Sequence, residues 1–190
     1  MKCLLAASGP SLNQEDIDYA RYKVDLAIAI NDAIYLMPWA DILYSGDNRW
    51  WNHHGPQLMN FSGERLCAGR NNEYSTMVPG IGGVGPFEKD HVRFGGNSGF
   101  AAINLALHRG ASSLYLLGYD LGVTEKDQAT HFFGEHPKGL QIDSPYEKWI
   151  QAFEVAAPSL SSFGARVYNC TPNSNLNCFP KVKIQEVLTD

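Results

Sequence analysis

Three short apolar runs early in the chain each lead into small polar residues, and this pattern constrains the fold most strongly. The runs cover residues 3–7, 25–30 and 41–44. Ser8, Asn31 and Asp47 follow them in turn. Short apolar runs without polar alternation are typical of parallel strands that helices cover on both faces. Ligands of such sheets bind beyond the carboxyl ends of the strands, so we expect these three side chains to face one crevice.

The first predicted strand leads directly into a tight turn and a helix. Residues 8–10 form the turn, and Ser11 with Gln14 fits a capping box for a helix over 12–22. Free backbone N–H groups and the positive end of a helix make such a turn suitable for binding phosphate. The alternative is an ordinary connection between a strand and a helix.

A second helix start is predicted near the same crevice. Asn97 and Ser98 follow two glycines and precede an apolar helix over 100–109. The next predicted strand, over 114–117, ends shortly before Asp120. We therefore expect a second set of helix N–H groups at the crevice, and Asp120 either there or capping a turn.

The other predicted elements surround this framework. Further short strands are predicted over 65–68, 74–78 and 166–168, with a glycine-rich loop over 80–86. Helices are predicted over 145–163, interrupted or ended near Pro158, and over 179–190. Together these elements predict a single α/β domain over residues 1–190, with a Rossmann-like, mostly parallel sheet and helices on both faces.

Two histidines lie in the polar segment over 122–144, namely His131 and His136. Loops above a sheet edge commonly carry catalytic groups, so both are candidate catalytic residues. A histidine that is merely solvated is the alternative interpretation.

Residues 48–54 are predicted to form a helical turn with two adjacent tryptophans, Trp50 and Trp51, and two adjacent histidines. Adjacent residues point in different directions on a helix, so the histidines make a poor metal site. We expect this segment to form a lid or a contact between copies of the chain.

The composition limits the function classes. With 44% hydrophobic and 18% charged residues and a net charge of -5, the chain is expected to be a globular protein that does not bind duplex nucleic acid. No apolar run is long enough to span a membrane, which favours a cytoplasmic location. The four cysteines are far apart and are expected to be reduced core thiols.

Several islands of sequence, taken in order, resemble the bacterial sialyltransferases of glycosyltransferase family 42. The islands are AASGPSL, AIND, GGNSGFAAINLAL with LYLLGYD, HFFGEHP and RVYNCTPNSNL. They also resemble short prophage-encoded proteins of unassigned function and, more loosely, the pterin diphosphokinase-like proteins that share the Gly-Pro-Ser opening. GPSL and CTPNS together are the most specific of these islands.

The resemblance implies a cytidine nucleotide as the carrier of the donor sugar and His136 as the general base of an inverting transfer. The first turn and the second helix start would hold the phosphate, Asn31 would contact the nucleotide or sugar, and the CTPNS island would hold the base and ribose. The residues so implied are Gly9, Pro10, Ser11, Asn31, Asn97, Ser98, Gly99, Pro172, Asn173 and Ser174.

The chain departs from the family pattern at three places. Ser8 stands where the family has an asparagine, and Gly122 and Val123 occupy the region of the phosphate-binding tyrosines. Gly46 or Asp47 takes the place of another asparagine. A carboxylate at that position would repel a phosphate unless a cation intervened.

Three functions therefore stay open at this level. The first is a nucleotide-sugar transferase, and the second is a metal-assisted phosphotransferase or hydrolase. The third is a non-catalytic assembly module in which exposed Trp50 and Trp51 mark a contact that forms a homo-oligomer. The second would use Asp47, Asp120, His131 and His136 around a divalent ion.

Overall fold

The computed structural model describes residues 1–69, 72–122, 130–134 and 144–189. Within these residues the main sheet contains seven strands: β1 (Lys2–Ala6), β2 (Leu26–Ile30), β3 (Ile42–Ser45), β4 (Glu64–Ala68), β5 (Thr76–Val78), β8 (Ser113–Leu117) and β9 (Arg166–Asn169). A separate ribbon pairs β6 (Gly80–Ile81) with β7 (Val92–Arg93). The main sheet is parallel throughout and has the order β5-β4-β3-β2-β1-β8-β9. This arrangement confirms the predicted Rossmann-like α/β fold.

The central strands form because their side chains are apolar on both faces. Leu5 of β1 pairs with Ile28 of β2 on one side and with Leu116 of β8 on the other, and all three are fully buried. Neighbouring side chains along a strand point to opposite faces, so Leu4 packs into the core on one side of the sheet and Leu5 into the core on the other. Each predicted strand therefore lies within one or two residues of an observed one.

Helices cover both faces of this sheet. They are α1 (Gln14–Ala20), α2 (Asn48–His54), α3 (Ser98–His108), α4 (Tyr146–Ala156), α5 (Leu160–Phe163) and α6 (Ile184–Val187). Residues of α3, α4 and α5 share one core, whereas residues of α1, α2 and α6 belong to the other. Three short 3-10 helices, Asn31–Tyr35, Gly55–Leu58 and Ala157–Ser159, connect these elements.

The strand order reverses direction between β1 and β8. From β1 the chain adds strands outward to β5 on one side, and it then returns to place β8 on the other side of β1. A crevice opens at such a switch point because the connections on its two sides lead to opposite faces of the sheet. The fold thus places the predicted crevice beyond the carboxyl ends of β1 and β8.

The predicted capping box at Ser11 is wrong. Helix α1 begins at Gln14, and its N-cap is Asn13, whose side chain accepts a hydrogen bond from the backbone N–H of Asp16. The Ser11 hydroxyl is instead bonded to Asp120, at 2.9 Å. The first turn is therefore separated from the positive end of α1.

The predicted interruption of the helix over 145–163 near Pro158 is confirmed, whereas the predicted helix over 179–190 is shorter than expected. Pro158 lacks a backbone N–H and lies in the 3-10 turn that separates α4 from α5. Near the end of the chain, Lys181 forms a parallel bridge with Asn169. This bridge keeps the backbone extended, so α6 covers only Ile184–Val187 rather than the predicted 179–190.

Two further features bear on the sequence predictions. All four cysteines are free thiols, and only Cys178 is not buried. Among the described residues, no helix combines the length and apolar character that crossing a membrane requires.

Candidate functional site

A cleft of about 390 Å³ lies at the carboxyl ends of β1, β2, β3 and β8. The start of α3, the segment around His131 and two aromatic residues of α4, Tyr146 and Trp149, also contribute to its lining, as do Trp50, Ala68 and Phe94. This position coincides with the switch point in the strand order, where open α/β sheets bind their ligands. The cleft is the candidate functional site.

Most of the residues singled out in the sequence line this cleft. They are Ser8, Gly9, Asn31, Asp47, Asn97, Ser98, Gly99, Asp120 and His131. Pro10 and Ser11 belong to the same turn as Gly9 but lie outside the lining. His136 lies outside the described residues, so its role stays a prediction.

The CTPNS segment, residues 170–174, lies outside the lining of the cleft and contacts the residues that follow β8. Pro172 and Asn173 are exposed on a turn, whereas Ser174 is buried and its hydroxyl donates to the carbonyl oxygen of Tyr119. The next residue, Asn175, donates its backbone N–H to the carbonyl oxygen of Asp120, at 2.8 Å. These contacts hold the end of β8 in place, and the predicted contact of this segment with a base and ribose stays a prediction.

The first turn is fastened to both neighbouring strands. The Ser8 hydroxyl donates to the carbonyl oxygen of Ile30 at 3.2 Å, and the Gly9 backbone N–H donates to that of Gly118 at 3.0 Å. A methyl group on Gly9 would overlap both the Gly118 carbonyl oxygen and the Asp120 carboxylate. Close packing between β1 and β8 thus accounts for the glycine of the Gly-Pro-Ser motif without any ligand.

The start of α3 contributes backbone donors to the cleft. Asn97 is the N-cap, and its side chain accepts the backbone N–H of Phe100 at 2.9 Å. The first N–H groups of the helix, those of Ser98 and Gly99, have no acceptor within the helix. The Ser98 hydroxyl accepts the backbone N–H of Gly46 at 3.0 Å, which joins the helix start to the end of β3.

Two buried polar atoms of lining residues have no hydrogen-bond partner among the described residues. They are Oδ1 of Asn31 and the hydroxyl oxygen of Tyr44. Asn31 also has a φ of 52°, a left-handed conformation that a non-glycine residue rarely adopts. Unpaired buried polar groups and unusual backbone angles are costly and tend to occur where a ligand binds.

Sequence reasoning missed Tyr44. It ends the predicted strand over 41–44, in which Asp41 is the other residue with a polar side-chain group, and its ring is fully buried. A tyrosine in a central strand usually serves the core, so the residue type alone did not indicate the cleft. The informative signal is its position two residues before Gly46, where the strand ends.

The charged residues that line the cleft in the described chain are acidic. Burial disfavours ionisation of Asp47, but hydrogen bonds and charge from Arg49 outweigh that effect and hold its pKa below the usual value. The Arg49 guanidinium lies 2.7 Å from Oδ2 of Asp47. Asp47 is therefore an ionised and paired carboxylate.

Asp120 has the opposite environment. Burial raises its pKa, although hydrogen bonds from the Ser11 hydroxyl and backbone N–H partly compensate. These two groups donate to Oδ2 at 2.9 and 3.4 Å. A buried carboxylate with a raised pKa beside a cleft can accept or hold a proton more readily than an exposed one.

His131 is oriented by its neighbours in the described segment 130–134. Its Nδ1 lies 2.8 Å from the Thr130 hydroxyl, and its ring stacks on that of Phe133. The backbone N–H of Phe132 donates to the carbonyl oxygen of Ser8 at 3.2 Å, so this segment is attached to the first turn. A positioned imidazole in a cleft can act as a general base near neutral pH.

Among the described residues, no group of three or more histidine, cysteine, aspartate or glutamate side chains is arranged to hold a metal ion. The metal hypothesis also requires His136, which falls outside those residues. In the described part of the cleft, Asp47 and Asp120 are thus the carboxylates that a cation bound together with a ligand would contact.

The expectation that Trp50 and Trp51 are exposed is wrong. Trp50 is 3% exposed and Trp51 is fully buried. The indole N–H of Trp50 donates to Asp32 at 2.9 Å, and that of Trp51 donates to the carbonyl oxygen of Ser45. Both tryptophans belong to the core that α1, α2 and α6 form on one face of the sheet, and Trp50 also lines the cleft, so neither is available to contact another chain.

The chain matches no protein-family model, no curated protein and no solved structure. The resemblance to family 42 therefore stays a prediction from the sequence.

Proposed function

We propose that the protein binds a cytidine nucleotide-sugar in this cleft and transfers the sugar to an acceptor hydroxyl group. The observation that carries the proposal is that the N-terminus of α3 lines the same cleft, at the switch point of the sheet, as two buried polar atoms of Asn31 and Tyr44 that have no partner among the described residues. Backbone donors suit a phosphate, and the Asn31 amide oxygen suits a hydroxyl or amino group of the nucleotide or sugar.

The proposed reaction needs one base and one stabilised leaving group. A histidine takes the proton of the acceptor hydroxyl as the acceptor oxygen bonds to the anomeric carbon. The bond from that carbon to the phosphate oxygen breaks with inversion, and the nucleotide phosphate leaves with the bonding electron pair. Helix N–H groups can stabilise the charge that develops on the leaving phosphate.

The base is assigned to a histidine of the segment after β8. The family resemblance favours His136, and the position of His131 in the lining of the cleft makes it the second candidate. Both are close in sequence, so separate variants are required to distinguish them.

The test is release of cytidine monophosphate from a cytidine monophosphate sugar, followed in wild type, His136→Ala and His131→Ala. We expect one variant to lose turnover while retaining its affinity for cytidine monophosphate. His108→Ala, on the last turn of α3, is the matched control and should be fully active. Full activity in both cleft variants would contradict the assignment of a histidine base.

A second candidate function is a metal-assisted phosphotransferase or hydrolase. The observation that favours it is the pair of carboxylates, Asp47 and Asp120, in a cleft whose described lining contains no lysine or arginine. Asp47 and Asp120 would hold a divalent ion that binds together with a nucleotide, and the ion would neutralise phosphate charge. This function requires that a chelator abolish activity, and an unchanged rate in chelator would exclude it.

A further inference from the structure

The space beside Gly46 is enclosed by groups from two different elements. A methyl group on Gly46 would lie 3.2 Å from the Ser98 hydroxyl oxygen and 3.9 Å from the Tyr44 hydroxyl oxygen. Glycine therefore leaves a gap between the buried tyrosine of β3 and the first turn of α3. Gly46, Tyr44 and Ser98 all line the cleft.

The Tyr44 hydroxyl is an unused donor at this gap. The residue is fully buried, and its oxygen has no hydrogen-bond partner among the described residues. Burial, with a smaller contribution from Cys67, raises the pKa of the hydroxyl, so it keeps its proton at neutral pH. A buried donor without a partner is costly unless something outside the chain accepts the hydrogen bond.

The neighbouring groups favour an anion as that acceptor. Helix α3 has eleven residues, and its first backbone N–H groups and positive end are at the same cleft. The nearest lining carboxylate in sequence, Asp47, is paired with Arg49. The Tyr44 hydroxyl and the first backbone N–H groups of α3 are thus the hydrogen-bond donors in this part of the cleft.

We infer that the Tyr44 hydroxyl and the backbone N–H groups of Ser98 and Gly99 form a binding site for a phosphoryl group, with Gly46 providing the space. This inference rests on the proposed function for the nucleotide, but the phosphoryl site itself would serve inorganic phosphate equally. The Tyr44 hydroxyl then binds the ligand directly, and the absence of a side chain at Gly46 allows the phosphoryl group to reach it.

The test is calorimetric titration of wild type and Tyr44→Phe with cytidine monophosphate, cytidine and inorganic phosphate. Tyr115→Phe is the matched control, because Tyr115 is a buried strand tyrosine of the opposite core that stacks on Tyr168 away from the cleft. We expect Tyr44→Phe to weaken binding of cytidine monophosphate and of phosphate by roughly 10- to 100-fold, and Tyr115→Phe to change neither. Binding of cytidine should be unaffected.

Gly46→Ala provides a second variant that keeps the tyrosine. Its added methyl would occupy the gap, so it should weaken the same two ligands and leave cytidine binding unchanged. Thermal unfolding of both variants checks that they are folded. Tyr44→Phe should be at least as stable as wild type, because it removes a buried hydroxyl that has no hydrogen-bond partner among the described residues.

Each outcome decides a different claim. Unchanged affinity of Tyr44→Phe for cytidine monophosphate, or an equal loss for cytidine, would overturn the phosphoryl site while leaving nucleotide binding intact. Binding of inorganic phosphate, but of no nucleotide, would support the site and contradict the proposed function. Failure of wild type to bind any of the three ligands would overturn both.

Discussion

The Asp120 carboxylate accepts hydrogen bonds from both the hydroxyl and the backbone N–H of Ser11, at 2.9 and 3.4 Å. The two residues are 109 positions apart in the chain. Their contact joins the first turn to the end of β8 across the switch point, and it occupies a backbone donor that the sequence assigned to a ligand phosphate. Asp120 is thus a structural partner of the turn as well as a lining residue of the cleft.

Replacement of Ser11 by alanine should destabilise the fold through this contact. Ser11→Ala removes the shorter hydrogen bond to a mostly buried carboxylate, for which we expect a loss of roughly 1–3 kcal/mol in the free energy of unfolding. Urea denaturation measures the change. Ser162→Ala, which removes an exposed hydroxyl that donates to the carbonyl oxygen of Ser159, is the control and should cost less. Equal losses in the two variants would show that the contact with Asp120 stabilises the fold no more than an exposed hydrogen bond does.

The two lining carboxylates should give opposite pH dependences of stability. Burial raises the pKa of Asp120. The contribution of this group to the free energy of unfolding is therefore fully present below the usual aspartate pKa and is lost as pH rises through the raised value. Asp120→Asn should therefore gain stability relative to wild type as pH rises over that interval. Urea denaturation of both proteins between about pH 3.5 and 7 measures the difference.

Asp47→Asn is the matched variant of the opposite sign. The pKa of Asp47 is lowered, so its contribution is present above the usual aspartate pKa and is lost as pH falls through the lowered value. Asp47→Asn should be less stable than wild type at neutral pH, and this difference in the free energy of unfolding should decrease as the pH is lowered. The environments described for the two residues would be contradicted if both variants shifted in the same direction.

Variants of two asparagine N-caps distinguish an effect on stability from an effect on ligand binding. Asn97 caps α3 at the cleft, and Asn13 caps α1 away from the cleft. Each alanine variant should lose about 1 kcal/mol of stability. Only Asn97→Ala should also weaken binding of cytidine monophosphate, because it loosens the helix start that supplies the phosphate donors. Equal affinities in the two variants, measured by calorimetry, would contradict a role for α3 in binding.

Replacement of Trp51 tests the assembly hypothesis. Trp51 is fully buried and its indole N–H is bonded to Ser45, so Trp51→Ser should lose roughly 3–5 kcal/mol of stability. Urea denaturation and size-exclusion chromatography would be run together. A variant of wild-type stability that differed only in its oligomeric state would instead support an intermolecular contact at this tryptophan.

The sheet could be predicted from the sequence because its strands are strongly apolar. β1, β2 and β8 are buried on both faces, so their composition alone indicates a covered parallel sheet. The start of α3 could be predicted as well, since Asn97 is a strong N-cap before a long apolar helix. These local signals indicated nine of the residues that line the cleft.

The remainder depends on contacts between distant residues. Ser11 and Asn13 are both good caps, and only the proximity of Asp120 explains why Ser11 does not cap α1. Trp50 and Trp51 lie among polar neighbours in the sequence, yet α2 packs them onto the sheet. That the Tyr44 hydroxyl lacks a partner among the described residues could not be foreseen, because it depends on what surrounds the end of β3 in three dimensions.

The most direct test of nucleotide binding in the cleft is thermal unfolding of the wild-type protein with increasing cytidine monophosphate, with and without a chelator. At about a hundred times its dissociation constant, a bound ligand adds about 2.7 kcal/mol to the free energy of unfolding, which gives a clear shift in Tm. We predict stabilisation that grows with nucleotide concentration, persists in chelator and is reduced in Asn97→Ala. Absence of stabilisation by cytidine monophosphate and by every other nucleotide would contradict the account.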